Sequence, residues 1–559
     1  MNKQIAFCFG ALLSLSAYAQ ENQENKNKVT VSGGFETNSQ WYMNDPGLDV
    51  THPEPAIRSN NYLFVNAKYK GWTAGIQGEG YEDEALLNYN PKYTKTDVAT
   101  YFVQYKNEMV DITAGYFYEQ FGSGLLLRSW EDRQLGINNA LRGGRIIFTP
   151  VKWFTIKGVY GRQRTGFDVA NSDIYGVDTE FGISDIFKLQ TTELSLGLSY
   201  VARDEEMPAI PDPNFETRTD AFAGRINFAH QSFYASAEYN YKSKDAVVEK
   251  QDQVKNNFVK PGNALLVNAG YSKKGFGIDG TFRRLENMSF YSERRANKNA
   301  FNDRIMNYIP SLTKQQHYNL ANIYVYQAQP GVNLPDYTVL KAGEIGGQID
   351  LFYNFKKGTA LGGKHGTKVA LNFAEWHALS GDYYLPNKDY DVDFFGFGKR
   401  FFTEYNLEIT KKWNEQWQTG FSYINQYNNL KLVQETYGKV NTNIVAAEGT
   451  FKFFSGKRSV RLVLEHMWAD ADKKNWAAGT AEFNLNQRLS FFTNDMWNYG
   501  NDDPDARDVY YNFGTAYRWK SLRAALNYGR QRGGLVCVGG VCRFVPESSG
   551  ISLSANIAF

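Results

Sequence analysis

After its first two dozen residues, this 559-residue chain has no stretch apolar for long enough to cross a bilayer as a helix. Dominance of one charge is missing too. The 61 Lys and Arg stand against 59 Asp and Glu, a net of +2, which gives no hint of nucleic-acid binding and no strong whole-molecule preference for anions or cations. Cysteine is scarce. Cys8 lies in an apolar leader, and Cys537 and Cys542 remain, an even pair expected to form one disulfide in an oxidising compartment. There are only six histidines: His52, His230, His317, His365, His377 and His466. Of these, His377 with Glu375 is the one pairing that hints at catalysis. Gly122-Ser123-Gly124 is not a hydrolase elbow, because neither a Gly-x-Ser-x-Gly motif nor a strand-turn-helix context surrounds it. No metal-ligand spacing is visible. The expectation is therefore no enzyme, no cofactor and no metal. No independent plug domain is read before the first strand, since only Gln20 to Lys28 precede Val29.

What the chain has in abundance is aromatic residues, 16% in all, with 37 Tyr, 39 Phe and 11 Trp, beside a mean hydropathy of −0.50. A membrane β-barrel reconciles the two figures, because only alternate strand residues meet lipid while lumen and loops are polar. Period-two alternation recurs along the chain. Leu63, Val65, Ala67 and Tyr69 share one face, and after a turn at Lys70-Gly71 Trp72, Ala74 and Ile76 follow. The pattern continues through Ala99, Tyr101, Val103 and Tyr105, through Leu194, Leu196, Leu198 and Tyr200, and through Val460, Leu462 and Leu464 to the carboxyl end. There Ile551, Leu553, Ala555, Ile557 and Phe559 alternate with Ser552, Ser554, Asn556 and Ala558. Short and long connections also alternate, and Tyr, Phe and Trp crowd the strand ends where interfacial girdles lie. Long connections are predicted near 43–59, 81–96, 119–141, 162–172, 203–217, 242–262, 285–341, 377–399 and 533–549. The stretch 285–341 reads either as one long loop or as a loop hiding a hairpin.

The fold class predicted is all-β: a single large antiparallel transmembrane β-barrel of about 24 strands (20–26), with long outer loops and short periplasmic turns. Residues 1–19 read as a signal peptide, from the short basic start Met1-Asn2-Lys3-Gln4, the apolar core and the small-x-small site Ala17-Tyr18-Ala19. Residues 20–28 form a short periplasmic segment and 29–559 the barrel.

The closing strand with its final aromatic resembles that of bacterial outer-membrane β-barrel proteins. The whole chain resembles a porin-like outer-membrane barrel of Gram-negative bacteria, from a family of uncharacterised function. The resemblance implies an outer-membrane location, contact with outer-membrane lipid, and reading of Phe559 by the barrel-insertion machinery. In general porins the loop after the fifth strand folds into the lumen and forms the constriction. Glu119 to Gly136, followed by Arg142 and Arg145, looks similar by position and charge. Leu125–Leu127 and Trp130 also need something to pack on, and Ser129 with Asp132 suggests a capped helical turn. The candidate constriction residues are Arg128, Glu131, Asp132, Arg133 and Arg142. Inward charges such as Asp178, Glu180, Arg225, Glu404, Glu408, Glu448, Arg461 and Glu465 imply a wet lumen, or ladders of paired charge, or both. The expected function is a passive channel for small polar solutes. The alternative is a structural or assembly subunit that docks with an envelope-protein partner through its long loops. That alternative rests on Arg294, Arg295, Lys298 and Arg304 beside Tyr308, Ile309 and Tyr318.

Overall fold

In the computed structural model, residues 28–82, 84–206, 216–248, 254–294, 304–333, 339–384 and 389–559 are described. The expected leader and most of segment 20–28 lie outside them. The main sheet has 25 strands, of which Asp168–Val169 is a two-residue addition paired only to Phe154–Thr165. The other 24 form a closed antiparallel barrel. Each pairs with the next, and Ser548–Ala558 returns to Thr30–Tyr42, with Trp41 opposite Ile551 and Gly34 opposite Ala558. Among the described residues no helix is long and apolar enough to cross a membrane.

Alternation decides which side chain meets which medium. On Arg458–Ala469, Leu464 points outward and is 70% exposed, whereas Val463 and Glu465 are buried on the inner side. Aromatics ring the outer face near both ends of the strands. Near the short turns Trp72 packs on Tyr105 at 4.9 Å and Trp417 on Phe451 at 4.6 Å. Near the long loops Tyr160 meets Tyr175 at 5.2 Å, and Tyr200 meets Phe222 at 5.1 Å. An amphipathic ring at each interface is what a bilayer-spanning barrel needs.

The short turns have a local cause. Asn107, Asn414 and Asn486 each use the side-chain oxygen to accept two backbone N–H groups further along, from Met109 and Val110, from Gln416 and Trp417, and from Arg488 and Leu489. An Asx-type bond of this kind closes a tight turn without a helix. Seam closure also has a sequence reason. Phe559 and Gly33 exchange backbone hydrogen bonds of 2.9 Å, and the Phe559 ring lies 2.7 Å from where a Gly33 Cβ would stand. Only glycine leaves room for that ring.

Two expectations change, and one open reading is resolved. The loops predicted at 242–262 and 377–399 are largely ladder. Pairing runs on to Val248 opposite Val254 and to Tyr384 opposite Asp389, through bulges after Lys242 and around His377. Bulges break period two while the backbone stays paired, so alternation stops being readable although the strand continues. Ala99 is buried, and Val98 takes the exposed position, because the register shifts where Gln77 and Gly78 meet this strand. The stretch between Glu286 and Gly343 adds no barrel strand among its described residues.

Candidate functional site

Inside the wall, acids and bases pair. Arg225 bridges Asp178 at 2.8 Å and Glu180 at 2.7 Å, and Arg461 bridges Glu448 at 2.8 Å and Glu482 at 2.9 Å. These cross-strand ladders line a polar lumen. The upper part of that lumen, toward the long loops, is filled by the loops themselves.

The connection from Glu286 to Gly343 crosses the barrel. At one side the Ile305 carbonyl accepts from the Gln163 side chain at 2.8 Å, on the seventh strand, Phe154–Thr165. At the other side the backbone N–H groups of Asn319 and Leu320 donate to Glu465 at 3.1 and 2.9 Å, on the nineteenth strand, Arg458–Ala469. The anchors lie twelve places apart in a 24-strand circuit, so the segment spans opposite walls. Tyr318, Leu320, Ala321, Ile323 and Tyr324 pack against inward Ile424, Val440, Ile444, Val463, Met467 and Trp476. Buried charges lock it further. Glu344 accepts from Arg283, from the Tyr326 hydroxyl and from the Gln329 N–H, each at 2.6 Å. Arg294 reaches Asp245 at 2.7 Å and Glu205 at 3.1 Å.

The loop after the fifth strand, between Phe117 and Leu141, also turns inward. Phe121, Leu126 and Leu127 pack on inward Val159, Ile174, Val201 and Ala221 and on Phe290 and Met306 of the crossing segment. Ser123 donates to the wall carboxylate of Glu238 at 3.0 Å. The helical turn suggested by Ser129 and Asp132 is not there. Ser129 Oγ accepts from the Glu119 N–H at 2.9 Å and closes the neck of the loop. Asp132 accepts from the Leu135 N–H at 2.8 Å and starts a turn between the two-residue strands Glu131–Asp132 and Ile137–Asn138.

The five candidate constriction residues part company. Arg133 pairs with inward Glu36 at 2.7 Å and with Glu131 at 3.0 Å, and Gln77 donates to Glu131 at 3.1 Å. Burial alone would lower the pKa of Arg133, but the two carboxylates hold it above the ordinary arginine value. Glu131 and Arg133 border a cavity of about 460 Å³ inside the wall, lined also by Asn66, Gln104, Thr113 and Arg145. Above it, Tyr62 and Tyr89 share a 2.8 Å hydrogen bond, and Tyr89 donates to the Arg133 carbonyl at 2.5 Å. Arg128 instead stacks on Tyr308 at 3.8 Å, away from this cavity's lining. Arg142 is a correction: it is exposed, on the same strand face as exposed Ile146 and Phe148, and so points out of the barrel. The unbroken pairing register from 142 to 148 fixes that orientation.

Cys537 and Cys542 are bonded, with sulfurs 1.99 Å apart, in the hairpin of Gly534–Val538 and Val541–Val545. This hairpin ties the other loops together. Arg543 donates to the carbonyls of Leu135 at 2.7 Å, Asn88 and Gln134, and Ser311 donates to Gly540 at 2.7 Å. His377 Nε2 lies 3.0 Å from Glu375 Oε1, a contact on the outward side of its strand near Phe397.

Of the loop residues that suggested external docking, those described are committed to the interior. Arg294 and Tyr318 are buried, and Arg304 pairs with Glu293 at 2.5 Å. Arg295 and Lys298 lie outside the described residues. Sequence reasoning missed Glu36, Tyr62 and Tyr89, whose roles depend on a loop folding onto distant strands. It also missed the inward apolar set of Ile424, Ile444 and Val463. These had a signal: Ile444-Val445-Ala446-Ala447 is apolar on both faces, as a strand covered on both sides must be.

The fold and its filling define a transmembrane β-barrel whose lumen is occupied by its own outer loops. The chain belongs to the family described as "Family of unknown function (DUF6029)", whose model matches residues 1–559. Among curated proteins, none matches the chain in sequence. Solved structures similar to it include the usher PapC translocation pore, at 10% identity and TM-score 0.36, covering 95% of this chain and 99% of that one. The siderophore receptor PirA from Pseudomonas aeruginosa gives 9% and 0.40, covering 96% and 81%, and the copper transporter OprC gives 11% and 0.38, covering 96% and 82%. With so little identity, none of them assigns a solute or a partner to this chain.

Proposed function

We propose that this protein is an outer-membrane barrel with a gated passage for small polar solutes. Residues 1–19 would serve as its export signal, and the Phe559 strand would be read on insertion. The observation that carries the reading is the cavity of about 460 Å³ between the loop at Glu131–Arg133 and the inner wall, where Gln77, Gln104, Glu131, Arg133 and Arg145 stand beside Phe64, Phe102 and Phe117. There the plug charges Glu131 and Arg133 face a lined space bordered by the barrel wall. The passage is a closed one in this conformation, shut above by Tyr62, Tyr89 and the Arg133 bridge to Glu36. Fixed charges close to a crossing solute act at short range, where bulk water screens poorly. No group need react with the solute for this to work, so we propose no catalytic role.

Purified protein in planar bilayers tests the idea. Long closed periods broken by stepwise openings are expected, with more frequent opening in Arg133→Ala. A wall that stays ion-tight in both proteins sinks the channel reading. The role of Phe559 is checked separately: deleting it should leave export intact and reduce the folded protein in the outer membrane.

A further inference from the structure

A second cavity, of about 410 Å³, lies within the plug and is bounded by four separate connections: the loop after the fifth strand, the crossing segment, the turn around Val433–Glu435, and the disulfide-tipped hairpin. This volume falls in the range of roughly 300–1,000 Å³ typical of small-molecule sites. It belongs to neither the conducting cavity nor the wall.

Its lining narrows the ligand. Aromatic rings surround it, among them Trp130, Phe290 and Tyr308. Between them stand amide side chains, including Gln327 and Gln434. The charged groups at its edge are already engaged: Lys341 donates to Gln329 at 2.6 Å and to the Leu432 carbonyl at 2.8 Å, Glu435 accepts from Asn333 at 2.9 Å, and Arg543 donates to the carbonyls of Leu135, Asn88 and Gln134. A strongly charged ligand would therefore have to break a made contact to be neutralised. A wholly apolar one would bury amides against hydrocarbon, which costs free energy unless those amides keep their bonds. What suits the site is a neutral molecule with C–H faces to lie on aromatic rings and a rim of donors and acceptors to meet amides.

We infer that the plug carries a binding site for a neutral saccharide of one or two rings, held against the edge-to-face pair Trp130–Tyr308 and by the amides of the crossing segment. The site stands whether or not the barrel conducts, since the lining belongs to the loops alone.

The test is calorimetric titration of the full-length protein, kept in a detergent without a sugar headgroup, with maltose, cellobiose and N,N′-diacetylchitobiose. Glucuronate and dodecanoate serve as charged and apolar probes. Saturable binding of at least one neutral sugar is expected. Affinity should fall about tenfold in Trp130→Ala, the loss of one aromatic contact. Val332→Trp, which fills the cavity from another loop, should also abolish binding while gel migration of the unheated barrel is unchanged. Any of three results overturns the assignment: no neutral sugar binds, a charged or apolar probe binds instead, or sugar binds equally to the wild type and both variants. Because binding is read without conductance, failure here leaves the passage reading untouched, and the reverse also holds.

Discussion

The two sides of the plug are held by different physics. Around the fourteenth to twenty-second strands the crossing segment is dry: Leu320, Ile323 and Tyr326 meet apolar inner-wall residues, and Arg283–Glu344 is sealed beneath them. Around the first to sixth strands the contact is wet. There Arg133, Glu36, Glu131 and Gln77 form partly exposed polar bonds beside a cavity. Burial of apolar surface is stabilising by roughly 25 cal/mol per Å², whereas exposed ion pairs contribute only about 0–1 kcal/mol. The dry side is thus a fixed hinge of the plug, and the wet side is where it can give way.

The largest expected effect comes from the dry side. Glu344→Ala strands a buried Arg283 charge and removes the acceptor for Tyr326 and Gln329, so it should cost about 3–5 kcal/mol. Thermal unfolding in detergent measures the loss, and protease cleavage within 304–333 reports whether the segment detaches. If Glu344→Ala unfolds like wild type, the hinge is elsewhere. Next in size is a control on the outer face. Leu464→Arg should cost about 2–4 kcal/mol near the bilayer midplane, while a polar swap at inward Arg461 costs far less. Equal losses at the two positions would mean that the register, or the membrane itself, is misassigned. A smaller effect belongs to the wet side. Arg133→Ala should change stability by no more than about 1 kcal/mol yet raise open probability. Since its carboxylate partners keep Arg133 protonated, moderate alkali should not imitate the mutation. A large stability loss with no change in opening would make the wet side a second hinge.

The same contrast explains what could be read from the sequence. Outward positions announce themselves because lipid imposes one rule on every strand: Leu462 and Leu464, or Ile551 and Leu553, alternate cleanly. Turn chemistry at Asn107, Asn414 and Asn486 is equally local. The packing of Leu125–Leu127 was legible as a need for a partner, though not which wall would supply it. The partners of Arg133 were not legible. Glu36 lies 97 residues away, and the pairing exists only once the barrel has closed and the loop has folded in. Arg142 looked like a member of the same charged group because it is close in sequence, but strand alternation sends it outward. Bulges hid the ladders at 242–262 and 377–399, since one inserted residue reverses the apparent face of all that follow.

The finest division lies within the loop itself, between neighbours Glu131 and Asp132. Both are acidic, and both fall in a two-residue strand. Glu131 borders the cavity and shares Arg133 with Glu36, whereas the Asp132 carboxylate is spent on the Leu135 N–H that opens the next turn. If charge beside the cavity sets which ions pass, Glu131→Lys should shift reversal potentials toward anions in a salt gradient. Asp132→Asn should leave selectivity almost unchanged and slightly loosen the turn. The sign follows from electrostatics alone: replacing an anion by a cation at the same short range favours entry of negative ions. The shift should shrink as salt rises, because the Debye length falls from about 10 Å at 0.1 M to 3 Å at 1 M. If Asp132→Asn moves selectivity as far as Glu131→Lys, the ions do not pass beside Glu131. The wet side would then be merely a looser seal, and not the gate.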